Sequence, residues 1–141
     1  MINYASTLWD LTSKTDIKPI EANYKRAIKH ILQKNSLETN DYRQADILPF
    51  DKNLKLKKAT FMHKILNENA PIPLQNLFSE NEDRNYHNEL SVCSKPRIEG
   101  YKESLQYSGA VLWNALPQCL RETKQPGLFK KQYKRILFST L

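Results

Sequence analysis

Apolar residues recur every three or four positions through much of this chain, a spacing that places them on one side of an α-helix. The pattern is clearest at 17–34, where cations occupy the opposite side and predict a helix with one buried face. Asp16 is expected to cap this helix, with Pro19 tolerated in its first turn. The predicted buried face comprises Ile17, Ile20, Tyr24, Ala27, Ile28 and Ile31, and the polar face comprises Lys18, Lys25, Arg26, Lys29 and Gln33.

Two further stretches predict amphipathic helices. One is capped by Asp51 and ends where the two prolines of "NENAPIPL" prevent continuation. The other is the closing segment "GLFKKQYKRILFSTL". The expected inward residues are Leu54, Phe61, Met62, Ile65 and Leu66 in the first helix, and Leu128, Phe129, Tyr133, Ile136 and Leu137 in the second. The expected outward residues are Lys52, Lys55, Lys57 and Lys58 in the first, and Lys130, Lys131, Lys134 and Arg135 in the second.

The segments between these helices carry weaker signals. Residues 35–46 are polar and turn-rich, and the acidic segment 79–89 predicts a loop. "LSVCSKPRI" alternates weakly, and "ESLQY" is its expected partner, so a short β-hairpin or extended element is predicted near 90–107.

Three short elements complete the prediction. A helical turn is expected at 109–115, with Ser108 as its cap and Pro117 just beyond its end. "LQNLF" predicts one further turn, and an apolar stripe near the N-terminus predicts another helix, with Ile2, Ala5, Leu8 and Trp9 on one side. The predicted fold class is therefore mainly α, a small helical domain with one extended element.

The distribution of charge along the chain indicates a function. The chain has 141 residues, 40% of them hydrophobic, and a formal net charge of +7. The positive charge is concentrated, because 14–34, 51–66 and 121–135 carry +4, +4 and +5. Positive charge gathered on predicted helices is typical of a protein that binds a polyanion. The alternative is that these lysines and arginines form ordinary solvated helix faces.

Catalytic or metal-binding chemistry has no support in the spacing of the polar residues. A zinc site needs ligands in close pairs, whereas His87, Cys93 and Cys119 are few and scattered. A cysteine nucleophile with His63 or His87 as its base has no supporting motif, and the acidic cluster lies within the predicted loop 79–89. We therefore expect no enzymatic activity, no metal and no cofactor.

The sequence also bears on cellular location. No apolar run reaches the roughly 18 residues that a membrane-spanning helix requires, and "MINYASTLWD" lacks the basic region and apolar core of a signal peptide. Two thiols in a chain without an export signal are expected to stay reduced. These features favour a nuclear or cytoplasmic protein over a secreted one.

The order of several phrases resembles the C-terminal end of reverse transcriptases from non-LTR retrotransposons (LINE-type, jockey-like). The resemblance extends from residue 2 to about 138, and the Leu-Trp-Asn-x-Leu-Pro phrase near its end is the most specific part. The matching phrases are "INYASTLWD", "YKRAIKHI", "LPFDKNLKLKKATFMHKILN", "YKESLQYSGAVLWNALP" and "LFKKQYKRIL".

The resemblance implies that 1–70 is a thumb-like helical region and 71–141 a C-terminal region, packed as one compact unit. In the family, an Asn-Tyr pair is followed closely by an Arg. Here Asn85 and Tyr86 are present, but Glu89 occupies that place, which puts the phosphate contact of the Arg in doubt. The Tyr-x-Asp-Asp turn of the catalytic palm is absent, as is the endonuclease domain, so the chain is expected to be a catalytically incomplete fragment.

The function that the resemblance implies is binding of RNA or an RNA/DNA primer–template duplex through its backbone. The expected phosphate contacts are Lys25, Arg26, Lys29, Lys55, Lys57, Lys58, Lys130, Lys131, Lys134 and Arg135. The alternative is a helical protein-interaction or structural module, or a non-functional relic, whose N-terminal stripe docks on the polymerase palm of a parent polyprotein. A small independent hydrolase is a third, weaker hypothesis.

Aromatic residues in the C-terminal half have two opposing interpretations. Trp113, with Asn114 and Pro117, belongs to the structural signature, and we expect Trp113 to fill a core. The alternative for Trp113 is an exposed platform for base stacking. Tyr101 and Tyr107, which have cationic residues nearby in the sequence, are the preferred stacking candidates.

Overall fold

The computed structural model describes residues 14–67, 70–78, 90 and 104–141, with side chains from residue 17 onward. Within these ranges the chain forms helices and no strand, which confirms the mainly α fold class. The helices are α1 (Lys14–Leu32), α2 (Thr39–Gln44), α3 (Phe50–Leu66), α4 (Ile72–Gln75), α5 (Leu105–Asn114), α6 (Gln118–Arg121) and α7 (Pro126–Ser139).

Helix α3 is the centre of the fold, because α1, α4, α5 and α7 all contact it. Its ends are set by proline: Pro49 is its N-cap residue, and Pro71 is the N-cap residue of α4. Asp51 therefore lies in the first turn of α3 and does not cap it. Coverage by several helices explains why α3 buries residues on more than one side, namely Phe50, Leu54, Leu56, Lys58, Ala59, Met62, His63 and Ile65.

Helices α3 and α7 run antiparallel. Near the end of α3, His63 Nε2 donates a hydrogen bond of 2.6 Å to the carbonyl oxygen of Thr123, just before α7. Near its start, Lys52 Nζ donates a bond of 2.9 Å to Thr140 Oγ1, just after α7. These two bonds link the helices near both of their ends.

Trp113 lies in the main core, with only 3% of its surface exposed. Its ring stacks on Phe129 with centroids 6.0 Å apart, and His63 packs against the same Phe129 at 4.5 Å. Burial of a large aromatic side chain contributes about 3 kcal/mol to folding. The expectation that Trp113 fills a core is confirmed, and the stacking-platform alternative is wrong because the ring is covered.

The small residues before Trp113 let α5 approach α3 closely. Gly109 and Ala110 are both buried. A methyl group built on Gly109 would lie 2.7 Å from Sδ of Met62, well inside van der Waals contact. The absence of a side chain at Gly109 therefore sets the spacing between the two helices.

The rest of the signature phrase has a structural role as well. Asn114 Nδ2 donates a hydrogen bond of 2.9 Å to the Leu90 carbonyl oxygen, and the Leu90 N–H donates one of 2.8 Å to Asn114 Oδ1. The side-chain amide thus pairs with both backbone groups of a buried residue, as a neighbouring strand would. Leu116 is buried, and Pro117 is the N-cap residue of α6.

Several predicted boundaries near α1 and α2 are wrong. Helix α1 begins at Lys14, so Asp16 lies inside its first turn and is not its cap. Residues 35–46, predicted to be a polar loop, contain the short helix α2. A six-residue helix spans too few turns to show periodicity. It is recognised instead by Asp41, whose Oδ2 accepts a hydrogen bond of 2.9 Å from the Glu38 N–H.

The predicted apolar face of α1 is only partly buried. Ile28 is buried, and the rings of Tyr24 and Phe50 pack with centroids 5.4 Å apart. Ala27 is exposed, and Ile31 is 70% exposed. The contact with α3 therefore uses a narrower strip of α1 than the apolar pattern suggested.

The start of α5 also differs from the prediction. Ser104, and not Ser108, is the cap, because its Oγ accepts a hydrogen bond of 3.3 Å from the Tyr107 N–H. Residues 105–107, predicted to be extended as part of "ESLQY", are helical. The remainder of the predicted extended element, at 91–103, lies outside the described residues, as do the N-terminal stripe and the acidic segment 79–89.

Candidate nucleic-acid interface

The ten predicted phosphate-binding residues differ widely in exposure. Lys25, Arg26, Lys55, Lys130, Lys131 and Arg135 are exposed, and Lys29, Lys57 and Lys134 are partly exposed. Lys58 is 4% exposed, so the expectation that it faces solvent is wrong. The reason is that α5 covers this side of α3, where Lys58 lies beside Tyr107 and Val111. Lys58 therefore offers little exposed surface to a phosphate.

A pocket of about 240 Å³ lies where α1, α3 and α7 meet. Three of the predicted cations line it: Lys57 from α3, and Lys130 and Lys134 from α7. Tyr24 of α1 forms part of the wall, and Asp46 lies at the edge of the same pocket, in the turn after α2. The pocket is thus lined by residues from the three helices on which the sequence concentrates positive charge.

The helical repeat explains how these lysines reach one place. Lys130 and Lys134 are four residues apart and therefore lie on the same side of α7. On α3, Asn53 and Leu56 line the pocket together with Lys57. Because α3 and α7 are antiparallel neighbours, these two sides face each other across the opening.

The lysines in the pocket are in different electrostatic environments. Lys134 Nζ donates hydrogen bonds to Asp46, 2.6 Å to Oδ2 and 2.9 Å to the backbone oxygen, and lies 5.6 Å from the centre of the Phe138 ring. Burial lowers the pKa of Lys57, and the neighbouring charge of Lys130 lowers the pKa further. In the described part of the chain, no carboxylate lies within ion-pair distance of Lys57 or Lys130.

The wall of the pocket is held by a network of neutral groups. The Tyr24 hydroxyl donates a hydrogen bond of 2.8 Å to the Leu48 carbonyl oxygen, and Asn53 Nδ2 donates one of 3.5 Å to the Tyr24 oxygen. Burial raises the pKa of Tyr24 above its ordinary value, so the phenol stays neutral near pH 7. Neither Tyr24 nor Asn53 was a predicted site residue, because only the packing of α1 on α3 brings them here.

The other predicted cations lie apart from this pocket. Lys55 borders a different, largely apolar cavity of about 350 Å³ between α3 and α5, together with Tyr107 and Val111. Lys25 pairs with Glu21 at 2.6 Å, one helical turn away on α1. The structure therefore separates the predicted cations into a convergent group at the pocket and others that do not line it.

The stacking candidates have separate outcomes. Tyr107 is partly exposed and lines the apolar cavity beside Lys55. Tyr101 lies outside the described residues. Stacking of a base on Tyr107 remains a prediction.

Across the described ranges, no group of three or more His, Cys, Asp and Glu side chains could hold a metal ion. None of the helices there is both long enough and apolar enough to cross a membrane. Cys119 has an exposed free thiol, whereas Cys93 and His87 lie outside the described part.

Comparison with known proteins supplies no relative for this arrangement. Family models, curated proteins and solved structures all gave no match to the chain.

Proposed function

We propose that this chain is a catalytically incomplete C-terminal fragment of a non-LTR retrotransposon reverse transcriptase that binds RNA or an RNA/DNA primer–template duplex. The family resemblance supplies the class of ligand. The observation that carries the proposal is the convergence of Lys57, Lys130 and Lys134 at one pocket, although more than 70 residues separate Lys57 from the other two. Clustered ammonium groups attract the phosphates of a nucleic acid.

The mode of binding follows from the residues involved. Lysine is a compact point charge that recognises phosphate without reading a base. Lys131 and Arg135, exposed on α7 beside the pocket lysines in sequence, extend the charged region along that helix. Binding should therefore tolerate changes of nucleic-acid sequence and weaken steeply as salt is raised.

The test is a fluorescence-anisotropy titration of the purified chain with a structured RNA, an RNA/DNA duplex and a double-stranded DNA, repeated over a series of salt concentrations. We expect the logarithm of the affinity to fall linearly with the logarithm of the salt concentration, by about 0.7 to 0.9 for each phosphate neutralised. Absence of binding at low salt, or binding that is insensitive to salt, would contradict the proposal.

A second candidate function is a protein-interaction module that docks on the polymerase palm of a parent polyprotein. The observation in its favour is that two large apolar side chains, Ile31 of α1 and Ile72 of α4, are 70% and 69% exposed and would be covered by a docked partner. Sedimentation of the isolated chain distinguishes the two. Self-association that Ile31→Ser and Ile72→Ser abolish, without any affinity for RNA, would favour the module.

A further inference from the structure

In the pocket at the junction of α1, α3 and α7, the lining residues carry more positive than negative charge. Lys57 and Lys130 line it together, and burial and then the positive charge of Lys130 lower the pKa of Lys57. Neither has a carboxylate partner in the described ranges. The positive charges of these two ammonium groups repel each other, and an anion bound between them would attract both.

The third lysine shows what kind of group fits there. Lys134 Nζ lies 2.6 Å from Asp46 Oδ2. The Asp46 side chain is nevertheless 77% exposed to solvent. Asp46 places an oxygen anion at the edge of the pocket, and within the described part of the chain it is the one carboxylate that lines it. It has the negative charge and the oxygen acceptors of a phosphate, but of the three lysines that line the pocket it pairs with Lys134 alone.

We propose that this pocket is a phosphate-binding site in which Asp46 holds Lys134 until a phosphate group replaces it and bridges Lys57, Lys130 and Lys134. The proposal rests on the proposed function for the source of that phosphate, which is the backbone of the bound nucleic acid. Free phosphate has the same chemistry, so the experiment separates the two sources.

The replacement of Asp46 should be energetically inexpensive. An exposed ion pair contributes little to stability, because water screens both charges. A phosphate that contacts three lysines gains more than Asp46 gains from one. Asp46 therefore acts as a competitor for the site, and removal of its charge should strengthen binding.

The test uses charge-matched variants of the full chain. Asp46→Asn removes the competing charge and suits the turn, because the residue has a φ of 53° and asparagine tolerates the left-handed region. Lys57→Gln and Lys130→Gln remove the lysines. The controls are Asp51→Asn and Lys64→Gln, which change the same charges at exposed positions of α3 outside the pocket.

Binding of labelled RNA is measured at one fixed salt concentration, with circular dichroism to confirm that every variant is folded. We expect Asp46→Asn to tighten binding about threefold relative to Asp51→Asn. Lys57→Gln and Lys130→Gln should each weaken it about fivefold relative to Lys64→Gln, and each should lower the salt slope by about one. If no pocket variant differs from its control while RNA still binds, the pocket proposal is wrong and the proposed function stands.

A second measurement does not depend on RNA. Inorganic phosphate is titrated at constant ionic strength while the backbone amide resonances are followed by NMR. Shifts concentrated at Leu48, Lys57 and Lys130 would support the site even if RNA does not bind, and would then identify free phosphate as the source. Shifts spread evenly over all lysines would overturn it.

Discussion

The two sides of α3 are built differently, although they belong to one helix. The side toward α5 is largely apolar, with Met62 packed against Gly109 and the Trp113–Phe129 stack beside it. A cavity of about 350 Å³, lined mostly by apolar groups, lies on the same side. The side toward α1 carries Lys57 and a pocket lined by polar groups. Lys57 and Lys58 are adjacent in sequence, yet only Lys57 reaches the pocket while Lys58 is covered. The comparison separates the main core, on the α5 side, from the proposed phosphate site, on the α1 side.

The largest effect is expected on the packed side. Trp113→Ala removes a buried ring from between α3 and α7, and should lower the free energy of unfolding by about 4 kcal/mol. Urea denaturation followed by circular dichroism measures it. The control is Val111→Ala, at a 44% exposed position of α5, the helix that also carries Trp113. It should lower the free energy of unfolding by less than about 1 kcal/mol. Equal losses in the two variants would show that the packed side is not the centre of stability.

The next effect concerns the pairing of Asn114 with Leu90. Asn114→Leu leaves both backbone groups of buried Leu90 without their partner, and should cost about 2 kcal/mol. Asn114→Asp keeps an acceptor for the Leu90 N–H but loses the donor to its carbonyl oxygen. We expect hydrogen exchange of the Leu90 amide to accelerate more in Asn114→Leu than in Asn114→Asp. Unchanged exchange in both variants would contradict the pairing.

Two glycine substitutions should act in opposite directions. Gly109→Ala forces a methyl group against Met62, and should destabilise the fold by about 1 kcal/mol despite the better helix propensity of alanine. Gly127→Ala lies in the first turn of α7 with open space around it, and should stabilise by up to about 1 kcal/mol. Thermal melting of both variants tests this contrast. Stabilisation by Gly109→Ala would show that the close approach is not a constraint.

The smallest effect is expected outside the pocket, at the connection between α1 and α2. A hydrogen bond from the Glu38 N–H and the neighbouring charge of Lys34 lower the pKa of Asp41. A lowered folded-state pKa means that the ionised carboxylate stabilises the fold above the ordinary pKa of aspartate. This contribution is lost as the pH falls through the folded-state pKa. Asp41→Asn should therefore be less stable than the natural chain at pH 7, and the gap should shrink as the solution is acidified.

Lys34→Gln provides the companion measurement. It removes the second cause of the pKa shift while leaving the hydrogen bond to Glu38 in place. The gap between natural chain and Lys34→Gln should also narrow on acidification, but by less than for Asp41→Asn. A gap that widens at low pH for either variant would contradict the assigned direction.

Sequence patterns located the packed side of α3 better than the side that carries the pocket. Trp113 was correctly predicted to lie in a core, because a large aromatic side chain within a short apolar run is most often buried. Lys58 was misplaced, because a helical wheel built on α3 alone does not show that α5 covers this side. The pocket was beyond sequence reasoning altogether, since Asp46 and Tyr24 meet Lys57 and Lys134 only through the packing of separate helices.

The missed helix α2 and the displaced start of α5 have a common cause. Both depend on a single hydrogen-bonding side chain near the helix start, Asp41 in one case and Ser104 in the other. Such residues occur widely in loops as well, so their pattern is ambiguous until the following turn is seen. Prolines gave firmer information, and they placed the limits of α3 nearly correctly.

The close approach of Gly109 to Met62 has an evolutionary consequence. Because the end of the Met62 side chain occupies the volume that a side chain at position 109 would need, a change at one position is expected to favour a change at the other. A descendant or ancestor with alanine or serine at 109 should carry valine or alanine at 62, and exchanging only one member of the pair should be rescued by exchanging the other. The close crossing of α3 and α5 would thus depend on the pair of residues at positions 62 and 109 and not on either one alone.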